Sequence, residues 1–167
     1  MDAINFFDGH GYFKVLTEKN KLAKANAFFP CSCSGINSLQ DVLENFRKQS
    51  AFVCIDDTND ASTEQIGGGW FKKRTFTVFL LIRYKFDYMK DRAEKLDICR
   101  QIFRQFHSRM IRDKFLYEDM DKSFLNVSRI YARELGEYFI SGCTGLYFMT
   151  EISEPTDLRY NSEEWDG

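Results

Sequence analysis

A chain of 167 residues that is 44% hydrophobic, with 17 Phe and 8 Tyr, has enough apolar mass for one domain burying roughly 70% of its unfolded surface without disulfide or metal support. A net charge of −2 excludes a generally basic nucleic-acid coat, which needs many lysines and arginines against phosphate, and no sequence-specific nucleic-acid partner is indicated. The longest apolar run, residues 76–82, is too short to span a bilayer, and no basic stretch leads into an apolar one at the start, so the reading is a protein without a membrane partner, kept in the cytoplasm.

Residues 1–10 place Ile4 and two phenylalanines before a Gly-His-Gly run, which reads as a short element ending in a turn. Residues 12–25 carry Phe13, Leu16, Leu22 and Ala23 among charges, the pattern of a surface helix. Residues 27–34 alternate weakly and contain Pro30, whose missing amide restricts the segment to an edge strand. Ser38 with Asp41 three positions later resembles a cap, and Leu39, Val42, Leu43 and Phe46 line one side of a helix over residues 39–49. Residues 1–37 read as an N-terminal extension packed on the sheet.

Residues 50–56 form a buried strand, and residues 57–64 then read as a polar, mobile loop that includes Asp57 and Asp60 and continues into Gly67, Gly68 and Gly69. Two strands joined in this way pair most simply as an antiparallel hairpin. The second strand, residues 74–86, is dense in β-branched and aromatic residues. Its two-residue period puts Phe76, Val78, Leu80, Ile82, Tyr84 and Phe86 on one face, with Phe79 and Leu81 among polar residues on the other. After Asp87, placed to cap by accepting first-turn amides, the period lengthens to that of a helix. Met89, Ala93, Leu96, Cys99, Phe103, Phe106 and Met110 make its apolar stripe, widened by Ile98, Ile102 and Ile111, over roughly 35 to 40 Å.

Residues 115–122 read as a turn or short helix. Residues 124–135 and 138–152 read as a second hairpin, with Gly142 and Gly145 as bulge sites and Pro155 closing it. Residues 156–167 form an exposed, acidic C-terminal tail whose Tyr160 and Trp165 are typical anchors for a partner's pocket. The predicted architecture is a single α+β domain. It has an antiparallel sheet of about four long strands in two hairpins, covered on one face by the long helix and the N-terminal helices. With one helical layer, Phe79, Leu81, Tyr147 and Met149 form an apolar patch on the other face, the mark of an interaction surface, unless the N-terminal segment covers them.

Signatures of chemistry are sparse. Asp56, Asp57 and Asp60 could hold a hard cation, but they lack the turn glycine and distal glutamate of a calcium loop, and the run is ordinary turn chemistry. Cys31 and Cys33 lack the two-residue spacing of zinc and redox sites, and the five cysteines read as reduced, mostly buried thiols. Neither His10 nor His107 sits in a nucleophile motif. The triple glycine is followed by a strand and lacks the Lys-Ser or Lys-Thr of a phosphate loop. Lys72, Lys73 and Arg74 beside Trp70 and Phe71 read as a solvated strand start. No catalytic, cofactor or metal residue is assigned.

The element order from residue 39 onward, carried by residues 39–46, 51–56, 57–69, 76–86, 89–110 and 138–152, resembles that of small prophage-encoded tail terminator and neck (head-tail joining) proteins. Those place an N-terminal helix before a hairpin, a long helix and further strands. The resemblance implies a structural, non-enzymatic protein that forms a homo-oligomeric ring and contacts other phage tail or neck proteins, located in the bacterial cytoplasm and then the virion. It assigns no site residue, because that family works through subunit surfaces. Two other readings stay open: a ligand-binding or regulatory α+β domain with a pocket between sheet and helices, and a divalent-metal enzyme using Asp56, Asp57 and Asp60.

Overall fold

A computed structural model describes residues 7–116, 125–136 and 142–166 of the chain. Within them the elements run α1 (Gly9–Lys19), α2 (Lys21–Ala25), β1 (Phe28–Cys33), α3 (Gly35–Asn45), β2 (Ala51–Asp56), β3 (Asp60–Ile66), β4 (Gly69–Arg83), α4 (Met89–Leu116), β5 (Leu125–Glu134) and β6 (Cys143–Pro155), followed by a 3₁₀ turn, Ser162–Glu164. The turn expected over residues 115–122 lies mostly outside the described residues. So do most of the element expected over 1–10 and the start of the strand expected over 138–152.

The fold is α+β, and its sheet differs in part from the four antiparallel strands expected. Among the described residues it has six strands and is mixed, in the order β1-β2-β4-β6-β5, with β3 also paired to β4. β1 and β2 are parallel, Phe28 facing Ala51 and Cys33 facing Asp56. A parallel pair needs a crossover, and α3 provides it. Pro30 lies on β1 at the sheet margin, where its missing amide costs no ladder bond to a further strand.

The larger correction concerns residues 57–69. The expected mobile loop is largely a strand, because β4 starts at Gly69, five residues before the expected strand start, and its overhang pairs with β3 from Asp60–Thr75 to Ile66–Gly69. Gly67 and Gly68, with φ of 57° and 85°, make the two-residue turn between them, a backbone shape that two glycines adopt without steric cost. β2 and β3 lie end to end along the same side of β4. Ile55 faces Val78 and Asp60 faces Thr75, so five steps on one strand match three on the other, and residues 56–59 bulge. The far side of β4 pairs with β6 from Phe71–Pro155 to Arg83–Cys143.

Helices cover both faces of the sheet. On one, α1, α2 and α4 bury Phe13, Ile102, Phe106 and Met110 against Val53, Val78, Leu80 and Phe148. On the other, Leu39 and Leu43 of α3 pack on Phe52, Cys54, Phe79 and Leu81. Each such leucine contributes about 1.5–3 kcal/mol by leaving water. Arg83 pins the end of α3 to β4, donating from Nη2 to the Leu43 carbonyl at 2.7 Å and from Nε to the Gln49 carbonyl at 3.0 Å.

Helix boundaries follow their caps. The Asp8 carboxylate accepts from the Gly11 amide at 2.9 Å and starts α1. Asn20 splits the single helix expected over residues 12–25, because its Oδ1 takes the Ala23 amide and begins α2. α3 starts at Gly35, ahead of the cap expected at Ser38. α4 starts at Met89, and Asp91 rather than Asp87 is its first-turn carboxylate, accepting from the Lys85 amide at 2.8 Å. The stripe of α4 is narrower than the sequence pattern: Leu96, Cys99, Ile102, Phe106 and Met110 are buried, while Met89, Ala93 and Ile111 are exposed. No helix among the described residues is long and apolar enough to cross a membrane.

Candidate functional site

Most of the expected patch on the second sheet face is covered. Phe79 is 5% exposed and Leu81 is fully buried, both under α3, because the residues linking β1 to β2 form a helix that crosses this face. Tyr147 and Met149 are half-buried beyond the helix. There Tyr147 packs between Phe79, at 5.6 Å between ring centres, and the exposed Tyr131 of β5, at 6.4 Å. Tyr131 pairs with Met149 across the β5–β6 ladder and was missed by sequence reasoning, since its exposed side becomes visible only once the bulge in β5 sets the register.

Met149 also forms the floor of a cleft of about 200 Å³ lined by Asp56, Thr58, Asn59, Asp60, Thr75 and Thr77. Its carboxylates organise the bulge. Asp56 Oδ1 accepts from the Thr58 amide at 3.0 Å, the Thr58 hydroxyl at 2.7 Å and the Gly35 amide at 3.2 Å. Asp57 Oδ1 accepts from the Ser34 hydroxyl at 2.6 Å, tying the bulge to the start of α3. Asp60 is the first residue of β3. Among the described residues no group of three or more His, Cys, Asp or Glu is placed to hold a metal ion.

The geometry also limits nucleophilic chemistry. Cys33, Cys54, Cys99 and Cys143 are buried and Cys31 is partly so, all as free thiols. Contacts with Cys31 and then Cys33, together with burial, push the Cys54 thiol far above its ordinary range. Burial raises Cys99 to about 12 and Cys143 to about 11. Thiols held in that range stay protonated and are poor nucleophiles at neutral pH. His107 Nε2 lies 2.8 Å from the Val127 carbonyl, linking α4 to β5. His10 Nε2 and Nδ1 lie 3.0 and 3.2 Å from the exposed Ser32 hydroxyl, so both ring nitrogens face one group on the surface. A hydrolytic dyad instead needs one nitrogen on the nucleophile and the other on an orienting partner.

A further concavity lies between α1, α2 and α4. This groove of about 640 Å³ has Val15, Leu16, Leu22, Ala25 and Phe106 as its apolar lining and Lys19, Lys21 and Arg109 as its charged residues. Asn20, the cap of α2, reaches across its wall to donate to Gln105 Oε1 at 2.8 Å. Further along the same helix pair, buried Asp113 accepts from the Tyr12 hydroxyl at 2.9 Å and from Arg109 Nε at 2.7 Å. Burial, and then the hydrogen bond to the Asp113 carboxylate, raise the Tyr12 phenol well above its ordinary value. A phenol kept protonated in the folded chain, but ionising near pH 10 once unfolded, adds stability that is complete below about pH 10 and is lost as pH rises further. Cys99 and Cys143 act in the same direction. Urea unfolding midpoints are therefore expected to fall between about pH 9 and 11, with Tyr12→Phe showing a shallower fall over that range despite a lower starting stability.

The tail residues stand clear of the rest of the chain. Tyr160 is 77% and Trp165 65% exposed, and their rings stack at 6.3 Å and 22°. Sequence reasoning singled out these two aromatics but not the groove, whose walls come from helices separated by about eighty residues. Comparison with protein-family models finds no match to the chain, and comparison with curated proteins finds none either.

Proposed function

We propose that the chain is a structural subunit of a phage tail, of the terminator or neck type, which works by assembling with copies of itself into a ring and contacting other tail proteins. The observation that carries this reading is the open state of the sheet. Among the described residues β1, β3 and β5 each pair with one neighbour only, leaving three strand margins on one small domain. The β3–β4 arm also holds apolar side chains in water at its tip, with Ile66 48% and Trp70 42% exposed. Exposed strand margins and apolar tips are surfaces that other chains pair with or cover. The element order that resembles terminator proteins supports the same reading, as does the use of the acidic residues within the bulge rather than around a reaction centre.

The groove beside α4 favours a second reading, a ligand-binding α+β domain, since its volume falls in the range of small-molecule sites. Light scattering across a concentration series separates the two. The structural reading expects particles several times the 19.7 kDa chain mass, either alone or after addition of tail-tube protein. A species that stays monomeric under both conditions would overturn it.

A further inference from the structure

The groove and the C-terminal segment carry opposite charge. Residues 9–25, which form α1, α2 and one wall of the groove, include Lys14, Lys19, Lys21 and Lys24 against the single acid Glu18. No Asp or Glu belongs to the groove lining itself. Residues 156–166 invert the pattern, with Asp157, Glu163, Glu164 and Asp166 against Arg159. Apolar groups match as well: exposed Val15 and half-buried Leu22 stand at the groove beside buried Leu16 and Phe106, while Leu158, Tyr160 and Trp165 project into solvent.

The segment is also held in shape before it meets anything. Asp157 accepts from Arg159 Nε and Nη2 at 3.0 and 2.6 Å, and Asn161 Oδ1 takes the Glu163 amide at 3.1 Å to start the 3₁₀ turn. That local order presents Tyr160 and Trp165 as one stacked aromatic unit and lowers the entropy lost on docking. The segment leaves the sheet where the Thr156 amide bonds the Trp70 carbonyl, at the arm end of β4, and none of its residues lines the groove of its own chain.

We propose that residues 156–166 of one copy dock in the α1–α2–α4 groove of the next, with Tyr160 and Trp165 on the apolar floor and the carboxylates beside Lys19 and Lys21. This rests on the ring reading above and names the contact that joins neighbours. Because the donor and acceptor surfaces differ, the contact is head-to-tail and propagates until a ring closes. Aromatic anchors in an apolar pocket ringed by charge carry most of the energy in such interfaces.

Two full-length variants test it. Lys19→Glu with Lys21→Glu damages the groove and keeps the tail; Tyr160→Ser with Trp165→Ser damages the tail and keeps the groove. All four side chains are exposed, and thermal melts verify that both variants remain folded. Followed by light scattering, each variant is expected to self-associate roughly 30-fold more weakly than the natural chain. An equimolar mixture should recover a one-to-one dimer and nothing larger, because only one intact groove and one intact tail remain. Assembly of both variants at full strength overturns this contact and leaves the ring reading standing. Failure of the folded pair to form the mixed dimer overturns it equally, and a natural chain that is monomeric at every concentration, with and without tail-tube protein, removes both.

Discussion

Replacing Gly145 by alanine is expected to be among the most damaging single changes in the chain, lowering stability by roughly 2–6 kcal/mol from backbone strain and forced displacement together. Gly145 lies inside the central ladder, facing Leu81 across β4 and β6, with its carbonyl accepting from the Leu135 amide at 2.9 Å. Its φ of +149° is one that side chains with a Cβ rarely adopt. A Cβ built there would sit 1.9 Å from the Leu80 carbonyl oxygen, a backbone atom that moves only if β4 moves. Separating the two central strands to make room would loosen both layers of the core. Urea denaturation compared with Gly136→Ala provides the measure, since a Cβ at Gly136 meets nothing within 4 Å and its replacement should stay within about 0.5 kcal/mol of the natural chain. Equal midpoints for the two variants would show that the close approach is relieved at little cost.

The second large effect belongs to Glu154, 4% exposed at the end of β6. Arg74 of β4 grips its carboxylate with two parallel bonds, Nε to Oε2 and Nη2 to Oε1, both at 3.0 Å. The Phe7 amide donates to the same carboxylate, and Arg74 Nη2 donates back to the Phe7 carbonyl at 2.9 Å. The guanidinium also lies over the Phe76 ring, 5.0 Å from its centre. Removing one partner of a buried, doubly bonded pair leaves the other charge desolvated without its counterion, which costs about 3–5 kcal/mol. Glu154→Ala is therefore expected to lose about that much in denaturant unfolding and to release the Phe7 backbone for rapid amide exchange. A loss below about 1 kcal/mol would mean that the pair behaves like an exposed one.

The strands with strong apolar content were legible in the sequence. Phe76 to Ile82 and Ala51 to Ile55 announce themselves through side chains that pack, and so does the stripe from Leu96 to Met110 on α4. β3 was not legible, because its stability comes from backbone pairing with the overhang of β4; Asp60, Ser62 and Glu64 meet water and carry no apolar signal. The covering of Phe79 and Leu81 stayed one of two open readings for a related reason. α3 was read as a helix, but its side of the sheet depends on β1 joining β2 in parallel, and Pro30 with two nearby cysteines gives no hint of direction. At the candidate surfaces, Tyr160 and Trp165 were found because lone aromatics in an acidic tail stand out. The groove could not be found by periodicity, since it exists only where Leu16 and Leu22 come to lie beside Phe106.

The position of β4 also sets an order on how the molecule comes together during synthesis. One side of this strand is satisfied by β2 and β3, which emerge before it, whereas the other waits for β6, made only after the whole of α4 and β5. For that interval the ribosome carries a chain whose most apolar strand shows a raw hydrogen-bonding rim along Phe71 to Arg83. Such a rim recruits stray strands, and nascent copies on neighbouring ribosomes are the nearest source. α4, made before β6, packs on the face of β4 and leaves that rim uncovered until the last strand arrives.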